Sequence, residues 1–364
     1  MGSNSFGKIF TFSTWGESHG KAIGVVVDGC PAGLPLDESL LQRDLDRRAP
    51  GSSPQVTPRA EKDKASICSG VFGGVTTGSP ISIIIENTDA DSAAYEGLAG
   101  LLRPGHANYT YLEKYGIFDH RGGGRASARE TVGRVAAGAV ARQLLAGSGV
   151  SAGAFLSAVG GCSFSDLPWD EALPFAARSR IFAPSAGAEA AFLRILEEAR
   201  REGDSVGGLV SFVLGGVPSG LGDPVYAKLG AMLGSAILSI PACKGFELGE
   251  GFAVASLRGS ACNDGFECSD GKIRPSGNRA GGILGGISTG LPIYGRAAFK
   301  PTSSISRPQR TLDLQGREAE FNLPPGSRHD VCVAVRAVPV VEAMCLIVLA
   351  DAWLRNRSAR LEGE

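Results

Sequence analysis

The sequence has no surplus of either charge and no apolar run long enough to cross a membrane. Its 364 residues include 36 Lys and Arg against 37 Asp and Glu, which gives a formal net charge of −1. Because a sequence-independent nucleic-acid-binding protein needs a basic surplus, we expect no nucleic-acid partner. The longest apolar run lies between Glu342 and Asp351. It is far shorter than the roughly 20 residues of a membrane span, so we expect no membrane segment.

Targeting and metal-binding patterns are absent as well. The N-terminal stretch contains no apolar core and no Arg-rich amphipathic character, so we expect no signal or transit peptide and a cytoplasmic protein. The eight cysteines are scattered, with no C-x-x-C pair. This spacing favours reduced, buried thiols over a zinc site, and we predict that the protein binds no metal.

Several common catalytic motifs are missing too. The sequence contains no G-x-x-x-x-G-K-[ST], no G-x-G-x-x-G after a strand and no H-E-x-x-H. The first two absences argue against an ordinary ATPase and a classical dehydrogenase. The last absence leaves a site of His, Arg and Ser without a metal cluster, which suits proton transfer and elimination of an anionic leaving group.

Glycine, in contrast, is abundant. There are 52 glycines in 364 residues, about twice the average usage of about 7%. They follow no collagen-like period, so they mark tight turns and close approaches of the backbone. With 43% hydrophobic and 20% charged residues, the chain is expected to be globular. A glycine-rich, aromatic-poor α/β protein with many loops at a ligand is the first expectation.

Two parts of the chain resemble each other. The segment 71–81, Val-Phe-Gly-Gly-Val-Thr-Thr-Gly-Ser-Pro-Ile, recurs as 283–293, Ile-Leu-Gly-Gly-Ile-Ser-Thr-Gly-Leu-Pro-Ile. We therefore predict an internal duplication within a single large domain spanning 1–364. Its pseudo-symmetric halves cover about 1–150 and 205–357, and an irregular connection covers about 151–204. The predicted fold class is α/β (α+β).

Local patterns predict individual elements. Strands are predicted over 25–28, 81–86, 209–214, 293–299 and 331–335. Helices are predicted over 37–48, over 188–202 and from Asp223 to about 237, with Asp37 and Asp223 as N-caps. The best-defined helix spans 127–146, where Ser127 and Glu130 form a capping box and Gly147 ends the helix.

The segment before that helix is a candidate anion site. Residues 121–126 read Arg-Gly-Gly-Gly-Arg-Ala. Two arginines, a flexible approach and the free N–H groups of a helix N-terminus together attract an anion. The alternative is a plain flexible connection into a capped helix.

Histidines and cations supply the candidate chemistry. His19, His106 and His329 stand in loops beside glycine or charged residues, and a histidine pKa near 6.5 suits proton transfer at neutral pH. Lys300 opens a run with three hydroxyls, 300–304, which suits a phosphate or simply a turn at a strand end. If several arginines converge, the ligand carries multiple carboxylates or phosphates. The candidates are Arg47, Arg48, Arg103, Arg121, Arg125, Arg129, Arg134, Arg328 and Arg336. The residues alone thus indicate an α/β enzyme for a polyanionic small molecule.

Several of these segments, in this order, resemble the chorismate synthase family. They are Gly-Glu-Ser-His-Gly at 16–20, Leu-Asp-Arg-Arg at 45–48, Arg-Pro-Gly-His at 103–106, Arg-Gly-Gly-Gly-Arg-Ala-Ser-Ala-Arg-Glu at 121–130, Ala-Gly-Gly-Ile-Leu-Gly-Gly at 280–286, Lys-Pro-Thr-Ser-Ser-Ile at 300–305 and Arg-His-Asp at 328–330. The resemblance implies a β-α-β sandwich and a homotetramer. It also implies the last step of the shikimate pathway, the anti 1,4-elimination of phosphate from 5-enolpyruvylshikimate 3-phosphate, with reduced FMN as cofactor and no net redox change.

The resemblance also assigns roles to residues. His106 would protonate the departing phosphate, His19 would hold or protonate the reduced flavin near N1, and Asp330 would assist the final proton removal beside flavin N5. The flavin contacts would be Arg125, Ala126, Ser127, Pro241, Ala242, Gly285, Lys300, Pro301, Thr302, Ser303, Ser304 and Arg328. Arg48, Arg129 and Arg336 would bind the substrate or NADPH. The flavin would be reduced by NADPH or by an external flavin reductase.

The sequence departs from the family pattern at four places. Pro54 stands where an arginine is frequent, with Arg59 further on, which weakens an NADPH site there. Asn108 replaces an aspartate, Ala126 a serine and Val331 a proline. None removes a proposed catalytic group, so an active enzyme is predicted. The alternatives are another FMN-dependent enzyme acting on a phosphorylated metabolite and a non-catalytic binding protein on the same fold.

Overall fold

Two five-stranded antiparallel sheets enclose central helices in this computed structural model, which describes residues 3–49, 63–88, 97–269, 271–323 and 330–361. The strands are β1 (Ser5–Phe6), β2 (Thr11–Trp15), β3 (Ala22–Asp28), β4 (Ala65–Ile67), β5 (Val71–Phe72), β6 (Val75–Thr76), β7 (Ile81–Glu86), β8 (Ser151–Val159), β9 (Cys162–Ser163), β10 (Gly208–Gly215), β11 (Cys243–Leu248), β12 (Phe266–Ser269), β13 (Lys272–Pro275), β14 (Ile283–Leu284), β15 (Ile287–Ser288), β16 (Ile293–Phe299), β17 (Gln309–Leu312) and β18 (Glu318–Phe321). The helices are α1 (Glu38–Arg48), α2 (Asn108–Tyr115), α3 (Thr131–Ala146), α4 (Trp169–Ala176), α5 (Ala186–Arg201), α6 (Leu229–Leu238), α7 (Gly259–Cys262) and α8 (Val333–Asn356). Short 3₁₀ segments span Gly124–Ala126, Ala128–Glu130 and Gly251–Ser256.

The first sheet has the strand order β1-β2-β3-β7-β4, with antiparallel pairs throughout. Successive side chains in a strand point to opposite faces of the sheet. In β7, Ile81, Ile83 and Ile85 are buried, whereas Ser82 and Ile84 between them are half-buried. One face of this sheet therefore packs on the helices and supplies part of the apolar core.

The second sheet, ordered β11-β16-β10-β8-β9, has the same central connectivity. The second sheet contains neighbouring strands in the order β8-β10-β16-β11, which corresponds to the order β2-β3-β7-β4 in the first sheet. Helix α3 packs on the first sheet, α8 packs on the second, and the two helices contact each other. The expected β-α-β sandwich is therefore the observed architecture.

Helix α8 is an apolar core helix. By length and composition its 24 residues could cross a membrane, but 89% of its most apolar window is buried inside the protein. Glu342 pairs with Arg47 and accepts a hydrogen bond from the backbone N–H of Ala154 at 3.1 Å. Asp351 accepts hydrogen bonds from the backbone N–H groups of residues 8–10. Because both carboxylates are satisfied, the helix continues past the two acidic residues that seemed to end the apolar run.

Some predicted elements are confirmed. Strands β7 and β16 have the predicted bounds. Helix α1 begins after Asp37, whose carboxylate accepts a hydrogen bond from the backbone N–H of Ser39 at 2.7 Å. This side chain satisfies one of the free donors of the first turn, as an N-cap does.

Other predicted elements are wrong. The strand predicted over 331–335 does not form, since helix α8 begins at Val333. The helical period was hidden in the sequence because α8 is buried on all sides and contains β-branched residues. Helix α6 begins at Leu229 and not at Asp223. The connection over 151–204 is not irregular, since it contains β8, α4 and α5. Most of β8 is buried on both faces, so it lacks the alternation that reveals a strand. The buried-thiol prediction is wrong for the exposed Cys68 and Cys268.

The capping box at the start of α3 is also wrong. Ser127 accepts a hydrogen bond from the backbone N–H of Arg129 at 3.3 Å and begins a 3₁₀ turn. The Glu130 carboxylate does not reach back to Ser127. It binds the hydroxyl of Thr14 at 3.0 Å and the guanidinium of Arg134 at 2.9 Å. Helix α3 therefore begins at Thr131, after the turn.

Candidate active site

Loops from both halves of the chain converge on a cavity of about 570 Å³. They come from the β2–β3 connection, the segments before α2 and α3, the end of α6, the end of β16 and the start of α8. The volume lies within the range of about 300–1,000 Å³ that small-molecule sites occupy. The predicted site residues that line it are His19, His106, Ala126, Ser127, Arg129, Pro241, Ala242, Lys300, Pro301, Thr302, Ser303, Ser304, Asp330 and Arg336.

The glycine run 122–124 lies against two histidine rings. Gly122 has φ +61°, and a Cβ there would lie 2.1 Å from Cδ2 of His19. Gly123 has φ +91°, and a Cβ there would lie 3.0 Å from Cε1 and Nε2 of His106. At Gly124 the nearest such atom, in Glu17, is 3.9 Å away. The first two glycines therefore leave room for the rings at one wall of the cavity.

His106 is buried beside two cations. Its backbone N–H donates to the carbonyl of Arg103 at 3.1 Å, and its ring packs edge-on against Phe118. Among the described residues, Nδ1 of this ring has no hydrogen-bond partner. Burial, aided by Arg103 and Lys300, lowers the pKa of His106 to about 3. The ring is therefore neutral at pH 7 in the free protein, and an anion bound beside it would raise the pKa.

Lys300 is held by neutral oxygens. Its ammonium donates to the carbonyl of Gly105 at 2.6 Å and to the Ser303 hydroxyl at 2.9 Å. Ser303 donates to the same carbonyl at 2.7 Å. Burial and the nearby Lys244 lower the pKa of Lys300. We call Lys244, Lys300 and Ser303 the lysine wall of the cavity.

Two further hydroxyls extend this wall. The Arg103 guanidinium donates to the hydroxyl of Ser304 at 2.8 Å. The Thr302 hydroxyl oxygen is buried, with no hydrogen-bond partner in the described part of the chain. The segment 300–304 therefore presents a cation and hydroxyl groups to the cavity, as its composition predicted.

Another part of the cavity lining contains arginines paired with carboxylates. Arg129 is 2% exposed and binds Asp63, which also binds Arg48 and is fully buried. Burial opposes the ionisation of Asp63, but the two guanidinium groups hold its pKa below the usual value. Arg129 also donates through Nε to the side-chain oxygen of Asn87 at 2.9 Å. This network fixes the arginine at the edge of the cavity.

A second ion pair completes this side. The Arg336 guanidinium donates to Oδ2 of Asp330 at 3.0 Å, and both residues line the cavity. Within the described ranges, Oδ1 of Asp330 and Nε of Arg336 are buried without a hydrogen-bond partner. We call Arg129 and Arg336, with the carboxylates of Asp63 and Asp330, the paired wall. The Asp330–Arg336 pair therefore leaves one acceptor and one donor for a ligand.

The structure does not bring Arg125 to the cavity. Its guanidinium donates to the carbonyls of Thr14 and Gly16 at 3.1 Å and to the side-chain oxygen of Asn4 at 3.1 Å. These acceptors and the nearby Glu130 hold the side chain on the other side of the 3₁₀ turn. The side chain of Arg125 therefore lies outside this cavity, and its anion contact stays a prediction.

Two other predicted residues also lie elsewhere. Gly285 lies in the turn between β14 and β15 and does not line the cavity. Arg48 lies behind the wall, 1% exposed and bound to Asp63. Arg328 falls outside the described residues, as do His329, Pro54 and Arg59.

Asn108 and Val331, two of the positions that depart from the family pattern, are both buried in the fold. Asn108 is buried, accepts a hydrogen bond from the backbone N–H of Arg103 at 3.1 Å and donates to the carbonyl of Leu101 at 3.0 Å. An aspartate could only accept, so asparagine satisfies both backbone groups. Val331 is buried, and its carbonyl accepts from the backbone N–H of Val206 at 2.9 Å.

Sequence analysis missed three residues at or behind the cavity. Lys244 lines the cavity, while Asp63 and Asn87 bind Arg129. Lys244 was the only one with a local signal, since it follows Pro241 and Ala242 in an otherwise apolar stretch. Asp63 and Asn87 act through contacts with residues far away in the chain, which no local pattern reveals.

Known proteins are similar to this chain over nearly all of its length. The chorismate synthase family model matches residues 10–354. A chorismate synthase of Protochlamydia amoebophila is 53% identical over 99% of this chain and 100% of its own length. One of Methanosarcina mazei is 50% identical, over 98% of this chain and 97% of its own. A crystal structure of chorismate synthase matches with a TM-score of 0.76 and 31% identity, over 96% of this chain and 93% of that one. The chain therefore belongs to the chorismate synthase family, the lyases that form chorismate in the shikimate pathway.

Proposed function

We propose that this cavity performs the anti 1,4-elimination of phosphate from 5-enolpyruvylshikimate 3-phosphate, which gives chorismate, with reduced FMN as cofactor. The observation that carries the proposal is that one cavity holds His106 beside Arg103 and Lys300. The same cavity holds the carboxylate of Asp330, of which only Oδ2 accepts a hydrogen bond among the described residues. The substrate carries two carboxylates and a phosphate, which need guanidinium and ammonium donors of this kind.

The leaving phosphate would lie at the lysine wall beside His106. Lys300 and Ser303 present donors there, and the ring of His106 is neutral in the free protein because burial, Arg103 and Lys300 lower its pKa. A bound phosphate dianion offsets these cations, so the pKa of His106 rises on binding. The ring then holds the proton that the departing phosphate takes up.

The proton from the substrate ring would leave at the paired wall, toward Asp330. Arg336 holds one oxygen of Asp330 at 3.0 Å, so the orientation of the carboxylate is fixed. The second oxygen, Oδ1, is buried and has no partner among the described residues. It is available to accept or relay a proton.

The cavity fits reduced FMN by the chemistry of its donors. Buried polar atoms of the described residues that lack partners include His106 Nδ1, Thr302 Oγ1, Asp330 Oδ1 and Arg336 Nε. Native proteins leave few such atoms without a reason, and a ligand would satisfy them. The backbone of Ala126–Ser127, Pro241 and Ala242, the 300–304 segment and His19 would hold the flavin. When bound, reduced FMN supplies electron density to the substrate ring as the phosphate leaves.

The paired wall would bind the carboxylates of the substrate. Arg129 and Arg336 both line the cavity and are almost entirely buried, so a carboxylate there would meet a fixed guanidinium. Arg48 supports Arg129 through their shared partner Asp63. The protein would work as a cytoplasmic homotetramer, with its flavin reduced by NADPH or by an external flavin reductase.

Anaerobic turnover tests this function. Purified protein is mixed with chemically reduced FMN and 5-enolpyruvylshikimate 3-phosphate, and chorismate absorbance and phosphate release are followed together. We expect equal amounts of both products, with the flavin still reduced at the end. Net flavin oxidation coupled to product formation would instead indicate another flavin enzyme. Absence of both products and of any flavin spectral change in folded protein would indicate a non-catalytic binding protein.

A further inference from the structure

The turn that carries His19 is hydrogen-bonded by a side chain that lies outside the segments resembling the chorismate synthase family. Residues 17–20 form a tight turn in which the backbone N–H of Gly20 donates to the carbonyl of Glu17 at 3.1 Å. Gly122 limits the ring of His19 on one side, since a Cβ at that position would overlap the ring. The position of the ring therefore depends in part on what fixes the backbone of this turn.

Asn87 fixes both ends of that turn. It follows strand β7, and its backbone N–H donates to the carbonyl of Lys21 at 3.1 Å. Its side-chain nitrogen donates to the carbonyls of Glu17 at 3.0 Å and Gly20 at 2.8 Å. Both side-chain N–H groups are thus used on the turn, one at each end.

The same side chain contacts the paired wall. The Asn87 oxygen accepts a hydrogen bond from Nε of Arg129 at 2.9 Å. Arg129 lines the cavity and is anchored at its other end by Asp63. A single amide group therefore joins the His19 turn to an arginine of the cavity. No other side chain of that size supplies both the two donors and the acceptor that these contacts use.

We propose that Asn87 is a positioning residue, which fixes the ring of His19 relative to Arg129. It touches neither the reacting atoms nor the cofactor and acts through the backbone of the turn. The catalytic consequence rests on the role proposed for His19 in chorismate formation. The placement of the His19 ring by Asn87 does not rest on that role, because the position of the ring can be measured in protein without substrate.

The Asn87→Asp variant tests the proposal with almost no change in size. An aspartate keeps an acceptor for Arg129 but replaces the two donors by an oxygen that repels the carbonyls of Glu17 and Gly20. We expect the turn to move and the ¹H–¹³C NMR signal of the His19 ring to shift, with the His106 signal unmoved. We expect kcat to fall about tenfold to a hundredfold, in keeping with small displacements of catalytic groups. KM should change little, since Arg129 keeps its partner.

Two further variants complete the experiment. His19→Gln assigns the His19 signal, which is practical because the chain has four histidines. Asn278→Asp is the matched control: it removes a side-chain hydrogen bond to the carbonyl of Pro292 at 2.8 Å and does not line the cavity. If the Asn87→Asp protein does not fold, Asn87→Ala replaces it. That variant also releases Arg129, so both the fall in kcat and a rise in KM are expected.

The outcomes separate the proposal from its alternatives. A His19 signal that moves in the Asn87 variants and stays in Asn278→Asp, together with a lower kcat, supports it. An unmoved His19 signal, or one moved equally by Asn278→Asp, overturns it. If the wild-type protein forms no chorismate, the proposed function fails, while the NMR result still decides whether Asn87 positions the ring.

Discussion

The paired wall and the lysine wall of the cavity carry the same sign of charge but balance it differently. On the paired wall, Arg129 and Arg336 meet the carboxylates of Asp63 and Asp330. On the lysine wall, Lys300 donates to the neutral oxygens of Gly105 and Ser303. One set of cations is partly neutralised by carboxylates of the protein, and the other retains its field for a ligand.

The difference assigns separate tasks to the two walls. Buried charges that share a carboxylate hold each other in place, and loss of one partner leaves an uncompensated charge in the interior. Cations held by neutral oxygens still act on their surroundings: burial lowers the pKa of His106 most, and Arg103 and Lys300 lower it further. We therefore expect substitutions on the paired wall to change stability most, and those on the lysine wall to change anion binding and catalysis.

His106→Ala should have the largest effect. Removal of the proton donor beside the lysine wall should lower kcat about 10²- to 10⁴-fold, the usual contribution of a general acid. FMN binding should remain largely intact, as measured by flavin titration. His120→Ala is the matched control, because His120 does not line the cavity. Wild-type turnover in His106→Ala would contradict the role of His106 as the proton donor.

Asp63→Asn should be the strongest change in stability. It leaves Arg48 and Arg129 buried without their carboxylate, and breaking such a buried pair costs about 3–5 kcal/mol. Urea unfolding at pH 7 measures this loss. The folded-state pKa of Asp63 lies below the unfolded value of about 3.9. The stabilisation is therefore present above that pH and lost as the pH falls below it, so wild type and variant should converge in acid. A variant as stable as wild type at pH 7 would contradict the structural task of the paired wall.

The variants Gly122→Ala and Gly124→Ala separate the effect of backbone strain from the effect of displacing the His19 ring. Both residues have positive φ, +61° and +53°, so each substitution costs about 1 kcal/mol of backbone strain. Only a Cβ at Gly122 meets the His19 ring. We expect kcat to fall about tenfold or more in Gly122→Ala and little in Gly124→Ala. Equal kcat values for the two variants would show that the ring contact has no role.

Lys300→Met should have the smallest of these effects. The apolar side chain removes a charged donor from the lysine wall, and such hydrogen bonds contribute about 1.5–3 kcal/mol. We expect inorganic phosphate to bind at least about tenfold more weakly in titration calorimetry, and more so at low salt. The unfolding free energy should stay within about 1 kcal/mol of wild type. A large loss of stability with unchanged phosphate affinity would reverse the tasks of the two walls.

Elements whose signals are local could be predicted from the sequence. Strand β7 alternates along its length, and α1 has a capping aspartate, so both were found at their bounds. His19, His106 and the 300–304 segment line the cavity, as their glycine and charged neighbours indicated, whereas His329 lies outside the described residues. The internal duplication stays a prediction, although the two sheets share their central connectivity.

The remainder depends on contacts that the sequence does not display. Strand β8 and helix α8 are buried on most sides, so burial removes the alternation or the helical face that would identify them. Arg125 was expected at an anion, but the carbonyls of Thr14 and Gly16 satisfy it first. Asn87 gave no signal, because its partners lie in two distant segments of the chain.

The pKa of His106, measured with and without phosphate, tests the division between the walls most directly. In an NMR titration of the free protein, we expect the His106 ring to titrate far below 6.5, near 3, because burial, Arg103 and Lys300 disfavour its charged form. Saturation with inorganic phosphate should raise that pKa strongly, since the anion offsets the cations. A pKa near 6.5 in the free protein that phosphate leaves unchanged would contradict the account.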